Sequence, residues 1–105
     1  MRTHQPHPQD EAIKMQLAQV ISELKKPEEI FEFLGTFMTE SEYSMFARRL
    51  EIIRRLEDNE SYLTIQRAIN VSSATVAAVS QLRDLEPVQN YMKKIQKRKR
   101  SGWFS

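Results

Sequence analysis

Residues 61–83 carry the sequence SYLTIQRAINVSSATVAAVSQLR, and the fold of the chain depends on how this stretch is arranged. The spacing of its apolar residues predicts a first helix over about residues 62–69 and a second helix over about residues 73–82. Each helix would bury one side against the other through a shared apolar set: Ile65, Ile69, Val71, Val76 and Val79.

The residues between these two helices favour a tight turn. Asn70 stands where the chain must turn, and asparagine adopts left-handed backbone angles more readily than most residues. Either Ser72 or Ser73 can then cap the second helix with its hydroxyl group. Two short helices joined in this way are typical of a helix-turn-helix, whose second helix lies in the DNA major groove. An ordinary helical hairpin has the same pattern, so this stretch alone leaves both interpretations open.

The rest of the chain predicts four further helices with recognisable ends. Asp10 can cap the first helix, and Pro27 suits the first position of the second, where no N–H donor is needed. Thr39 and Glu42 have the spacing of a capping box, in which each side chain binds a free backbone N–H group. The predicted spans are residues 11–25, 27–37 and 39–58, with a last helix that opens at Pro87.

The third of these helices is predicted to be the longest. Its positively charged residues interleave with acids, and Glu51 and Arg55 are placed to form an i,i+4 ion pair on the helix surface. Its apolar stripe is predicted to consist of Tyr43, Phe46, Leu50, Ile53 and Leu56, with Met45, Ala47 and Ile52 to its sides.

The helix over residues 27–37 is too apolar to be covered on one side only. Its apolar residues, together with one that follows it, are Ile30, Phe31, Phe33, Leu34, Phe37 and Met38. A tight monomer core would cover them, but we expect a homodimer in which the N-terminal helices of two chains interlock.

Charge and composition limit the classes of function. Residues 1–90 contain 10 Lys and Arg with all 14 Asp and Glu, whereas residues 91–105 contain six cations and no acid, which suggests a polyanionic partner. The chain has no cysteine, which fits a reducing cytoplasm, and we expect neither a membrane-spanning segment nor a secretory signal. We expect no enzyme, because no glycine-rich phosphate loop occurs and the only histidines, His4 and His7, lie near the N-terminus.

These observations predict one helical domain with two short extensions. We expect a disordered arm over residues 1–9, a DNA-binding domain over residues 10–97, and a basic and aromatic tail over residues 98–105. We expect no cofactor and no metal, since two histidines in a flexible arm are a weak metal signal.

Several strings, in this order and spacing, resemble the Trp repressor superfamily over about residues 14–97. They are FMTESE at 37–42, RRLEII at 48–53, VSSATV at 71–76 and EPV at 86–88. The resemblance implies an all-α, six-helix protomer and an intertwined homodimer that presents two reading helices to a palindromic operator. It also implies a transcription regulator in the bacterial cytoplasm that associates with the nucleoid.

The resemblance further implies where a small-molecule effector would bind. The founding members bind L-tryptophan, and Arg49 occupies the place of one arginine that contributes to that site. A second, stacking arginine is replaced here by Ala78, and a glycine is replaced by the bulkier Val79. The chain is also about one residue shorter just before the reading helix. We therefore expect no tryptophan response and a closer likeness to Trp-repressor-like bacterial proteins that keep the motif without a known corepressor.

If the second motif helix reads DNA, its early residues face the bases and nearby cations contact phosphates. Ala74 and Val76 would turn toward the packed side. The base-facing candidates are Ser72, Ser73, Thr75, Ala77 and Gln81. The phosphate candidates are Arg67, Arg83, Lys93, Lys94, Lys97 and Arg98.

Two other functions fit the sequence. A helical protein-interaction module that does not read DNA specifically would explain why the reading helix offers no arginine to guanine. Sequence-blind association with nucleic acid through the basic tail is the other.

Overall fold

The protein is all-helical in the part of the chain that the structure describes. The computed structural model covers residues 7–100, except for the side chains of residues 99 and 100. The proposed arm over residues 1–9 and the tail over residues 98–105 therefore lie largely outside the described residues. The helices are α1 (Asp10–Glu23), α2 (Pro27–Phe37), α3 (Glu40–Glu57), α4 (Tyr62–Ile69), α5 (Ser73–Ser80) and α6 (Glu86–Arg100). Within residues 7–100 these six helices and the absence of strands match the predicted fold class.

The starts of α2 and α3 follow local sequence signals, whereas α1 and α6 each begin one residue earlier than predicted. Pro27 opens α2 at its first position. Ahead of α3, the Glu42 amide donates to Thr39 Oγ1 at 3.1 Å and the Thr39 amide donates to Glu42 Oε1 at 2.8 Å, which confirms the capping box. The prediction for Asp10 was wrong, since it is the first residue of α1 and its carboxylate accepts from the His7 amide at 3.0 Å.

The ends of α1 and α5 come two residues earlier than predicted. After Ser80 the chain tightens, with the Leu82 amide donating to the Val79 carbonyl and the Arg83 amide donating to the Ser80 carbonyl. Bonds that span three residues in this way are characteristic of 3₁₀ turns at helix ends. A similar bond, from Leu24 to Ile21, ends α1.

The chain divides into two compact units, and the boundary falls within α3 after Tyr43. In the first unit, α2 packs on the start of α3. The Tyr43 hydroxyl donates to the Phe31 carbonyl at 3.3 Å, and the two rings are 5.9 Å apart. Neither α1 nor α2 contains a buried residue, although both carry large apolar side chains.

The second unit contains the core. Its buried side chains come from α3, α4, α5 and α6, and the core is as follows: Ile52, Ile53, Leu56, Ile65, Val76, Val79 and Met92. The predicted stripe of α3 is only partly correct. Ile52, which was placed at its side, is completely buried, whereas Phe46 and Leu50 are 48% and 41% exposed.

Candidate nucleic-acid interface

The turn between α4 and α5 has the geometry that the sequence predicts. Asn70 has φ 54° and ψ 59°, which is the left-handed conformation, and it forms the C-cap of α4. At the other end of α4, the Ser61 hydroxyl accepts a bond from the Thr64 amide at 3.1 Å. Both ends of this eight-residue helix are therefore fixed by side chains suited to them.

Ser72, not Ser73, caps α5. Its hydroxyl accepts from the Thr75 amide at 3.1 Å, and the two hydroxyl oxygens of Ser72 and Thr75 are 2.9 Å apart in a second hydrogen bond. Two of the predicted base-facing residues therefore bind each other at the start of the helix. Thr75 is also half-buried, which leaves its hydroxyl less available to a DNA base than the sequence suggests.

The apolar side of α5 fixes this helix on the second unit. Val76 is completely buried and Val79 is 3% exposed, while Ile65 of α4 is completely buried beside them in the same core. Ile69 and Val71 are partly buried against this cluster. The five residues predicted to join the motif helices all take part in the packing.

The opposite side of α5 is exposed, small and uncharged. Ser73, Ala77 and Gln81 are spaced four residues apart, which places them along one face of a helix, and all three are exposed. Ala74 is exposed as well, so the prediction that it turns toward the packing was wrong. This face provides one hydroxyl, one amide and several methyl groups, and it contains no acid that would repel phosphate.

A hydrogen-bonded clasp joins the two motif helices at the end far from the turn. The Tyr62 hydroxyl donates to Ser80 Oγ at 2.9 Å, and the Ser80 hydroxyl donates to the Ala77 carbonyl at 2.7 Å. The clasp therefore links the start of α4 to the end of α5. Sequence reasoning missed it, because no local signal links residues that are 18 positions apart.

The predicted phosphate contacts fall into three groups. Arg67 is exposed on α4, and the cations at positions 93, 94, 97 and 98 are exposed on α6. Arg83 is different, since its Nε lies 3.1 Å from Glu57 Oε1 in a partly buried ion pair. A phosphate would have to compete with this carboxylate, which makes Arg83 the weakest candidate of the set.

The arginines at the end of α3 are used within the protein. Glu51 Oε2 lies 2.7 Å from Arg54 and 2.8 Å from Arg55, and Arg55 also lies 2.9 Å from Glu60. The hydrogen bond from Arg54 has the largest effect on the pKa of Glu51 and lowers it. Burial acts in the opposite direction, but the bond from Arg55 also lowers the pKa, and the net shift is downward. The predicted pair of Glu51 and Arg55 is present, and it belongs to a network that extends to the turn before α4.

An apolar cavity of about 310 Å³ lies within the second unit. Arg49 is the one charged residue in its lining, and burial raises the pKa of the Tyr91 hydroxyl, which also lines it. The lining residues are Phe46, Arg49, Leu50, Ile53, Val79, Leu82, Pro87, Val88 and Tyr91.

Comparison with known families decides the class of this protein. A family described as Trp repressor protein matches residues 14–99, which is most of the chain. The chain belongs to the Trp repressor family. This is a family of regulators and not of enzymes, so the chain is a helix-turn-helix DNA-binding regulator in general terms. Neither the curated proteins nor the solved structures include a match.

The three residues that the sequence singles out for a possible effector site do not all lie together. Arg49 lies at the cavity, as does the buried Val79, whereas Ala78 is exposed on α5 and is not part of the lining.

Within residues 7–100, none of the helices has the length and apolar character that crossing a membrane requires.

Proposed function

We propose that this protein is a sequence-specific DNA-binding transcription regulator that places α5 in the major groove. The observation that carries the proposal is the division of α5 into two sides. Val76 and Val79 fix one side in the core, while Ser73, Ala77 and Gln81 form an exposed face free of acids. Such a regulator would act on the bacterial nucleoid in the cytoplasm.

The chemistry of this face suggests how it would select a sequence. A serine hydroxyl accepts or donates to any base, an alanine methyl can touch the thymine methyl, and glutamine can bind adenine through two bonds. None of the exposed residues on α5 is an arginine, so this helix cannot form the bidentate arginine contact with guanine. We infer that selection relies on water-mediated contacts and on DNA shape as well as on Gln81.

We also propose that the functional form is a homodimer. In a single chain, α1 and α2 leave large apolar side chains in contact with solvent, such as Phe31 at 68% and Phe37 at 75% exposure. Burying apolar surface gains about 25 cal/mol per Å², so covering these faces favours association. A second copy would also supply the second reading helix that a palindromic site requires. The exposed set on these helices is Ile13, Met15, Leu17, Val20, Phe31 and Phe37.

We propose that the regulator does not respond to tryptophan. The cavity beside Arg49 offers a guanidinium for a carboxylate, but its lining contains no acid that could pair with the ammonium group of an amino acid. Val79 projects bulk into this region, and Ala78 cannot stack on an indole. Arg49 is our candidate for the contact to any other effector.

A binding experiment with two matched variants tests the proposal. DNA that the full chain enriches from random duplexes is used to compare wild type with Ala77→Glu and with Asn59→Asp. Both variants add one negative charge at an exposed position, but only Ala77 lies on α5. We expect Ala77→Glu to weaken binding at least 10-fold, since it sets a carboxylate against the duplex, and Asn59→Asp to change it less than twofold.

A protein-interaction module without specific DNA reading is the second candidate function. It is favoured by the bond between the Ser72 and Thr75 hydroxyls, which uses two of the predicted reading groups within the protein. Under this alternative, selection from random duplexes yields no enriched sequence, and the two variants behave alike.

A further inference from the structure

The connection that follows α5 has little apolar packing of its own. Within residues 81–85, four of the five side chains are exposed, and only that of Arg83 is partly buried. An eight-residue helix such as α5 has little stability by itself, so its direction depends on what holds its two ends. Beyond Val79, which is 3% exposed, the C-terminal end of α5 therefore depends largely on polar bonds.

Arg83 is bonded to two helices that neighbour this connection. Its Nε donates to Glu57 Oε1 at 3.1 Å, and Glu57 is the last residue of α3. Its backbone carbonyl accepts from Gln89 Nε2 at 2.5 Å, and Gln89 lies on α6. Both bonds are partly shielded from water. We call Glu57, Arg83 and Gln89 the brace.

The two helices that supply the outer members of the brace are fixed in the core of the second unit. Leu56, next to Glu57, is 5% exposed, and Met92, one turn after Gln89, is 3% exposed. The clasp described above attaches the last residue of α5 to α4. The brace attaches a residue three positions later to α3 and to α6. The C-terminal end of α5 is therefore tied to α3, α4 and α6 by side-chain bonds.

The bonds of the brace are better suited to orienting α5 than to stabilising the fold. The ion pair joins side chains that are 36% and 20% exposed, and water screens such a pair. The bond from Gln89, however, is made to the backbone itself, three residues after α5 ends. Hydrogen bonds weaken steeply when their distance or angle changes, so both bonds favour one position of this end of the helix.

We propose that Arg83 is a positioning residue for α5 and not a phosphate contact, and that Glu57 and Gln89 hold it in place. This inference rests on the proposed function, since it requires that α5 reads DNA. Contacts to base edges depend on where α5 lies in the groove, whereas phosphate contacts made elsewhere do not depend on the brace. Loss of the brace should therefore weaken binding to the recognised sequence and leave sequence-independent binding unchanged.

The test uses Gln89→Met, because this substitution removes the N–H donor and changes no charge. The full chain is titrated with a duplex that it enriches from random DNA and with a shuffled duplex of the same composition, between about 50 and 200 mM salt. We expect the ratio of the two affinities to fall about 3- to 10-fold, which is the range that the net worth of one hydrogen bond allows. The log–log salt slope should not change.

Gln96 provides a matched control for this substitution. It is exposed on the same helix, and Gln96→Met makes the same chemical change away from the brace. We expect the affinity ratio of this control to stay within about twofold of that of wild type. A partly unfolded variant would bind both duplexes more weakly by the same factor, so a loss of stability alone does not change the ratio.

A second variant separates positioning from phosphate binding. Arg83→Met is combined with Glu57→Gln, which removes the ion pair and keeps the net charge the same. If Arg83 contacted phosphate, both affinities would fall by the same factor and the salt slope would decrease by about 0.9. A positioning role predicts a lower affinity ratio with an unchanged slope.

Two results would overturn this inference and leave the proposed function standing. One is an affinity ratio for Gln89→Met that is no lower than that for Gln96→Met. The other is a double variant whose slope decreases by about 0.9 while both affinities fall equally, which would assign Arg83 to phosphate. Equal affinity of wild type for the enriched and shuffled duplexes would instead overturn the proposed function, and this inference with it.

Discussion

Truncating Ile65 to alanine tests whether α4 and α5 are held together by the core described above. Ile65 is completely buried and belongs to the same cluster as Val76 and Val79. The substitution removes three carbon atoms, each worth about 0.8 kcal/mol when buried, which gives about 2.4 kcal/mol. The cavity left behind adds to this loss, since buried isoleucine-to-alanine changes cost about 2–5 kcal/mol. We expect the free energy of unfolding to fall by about 3 kcal/mol.

The same helix contains a matched control for this substitution. Leu63 is 54% exposed, and its replacement by alanine removes the same number of carbon atoms two positions away. We expect Leu63→Ala to cost less than about 1 kcal/mol, because little apolar surface returns to water.

Urea unfolding followed by circular dichroism measures both effects. Protein concentration is held constant across the variants, since the stability of an oligomer depends on it. The two variants should differ by about 2 kcal/mol in the free energy of unfolding. If Ile65→Ala were no more destabilising than Leu63→Ala, the packing of α4 on α5 would be wrong as described, and with it the placement of the reading helix.

Four further predictions concern the turn, the clasp, the ion pairs and the cavity. At the left-handed Asn70, glycine should leave stability unchanged within about 0.5 kcal/mol, whereas valine should cost about 1–2 kcal/mol in thermal unfolding. Tyr62→Phe removes the bond to Ser80, so DNA affinity should fall more than stability does; an effect on stability alone would count against a positioning role. The lowered pKa of Glu51 means that its contribution to stability is present above its ordinary pKa of 4.5 and is lost as the pH falls through the lower folded value. The stability difference between wild type and Glu51→Gln should therefore shrink below pH 4.5, and a difference that stays constant with pH would exclude this contribution. Calorimetry should detect no tryptophan binding up to about 1 mM, and a saturating micromolar isotherm would refute the interpretation of Ala78 and Val79.

Local signals predicted several helix ends correctly. Asn70 and the pair of Thr39 and Glu42 each act within four residues of themselves, and each forms the helix end that the sequence indicates. A cap is decided by a side chain and the backbone beside it, so the sequence contains the needed information.

Contacts between residues that are far apart in the chain could not be predicted from the sequence. Arg83 was predicted to contact phosphate, and nothing in the sequence indicated that Glu57, which is 26 positions away, lies beside it. The stripe on α3 shows the same limit, because periodicity gives candidate directions and the neighbouring helices decide which one is buried. For this reason Ile52, which was predicted beside the stripe, is buried in the core. Phe46, which was predicted within the stripe, lines the cavity and is not part of the core.

The most direct test of the central claim is a comparison of two affinities under one condition. Duplexes enriched from genomic DNA by the full chain are compared with shuffled duplexes of the same composition at about 150 mM salt. If α5 reads sequence, the enriched duplex should bind at least about 1,000-fold more tightly, with two half-sites centred about one helical turn apart. Equal affinity for the enriched and shuffled duplexes would contradict the claim that α5 is a reading helix.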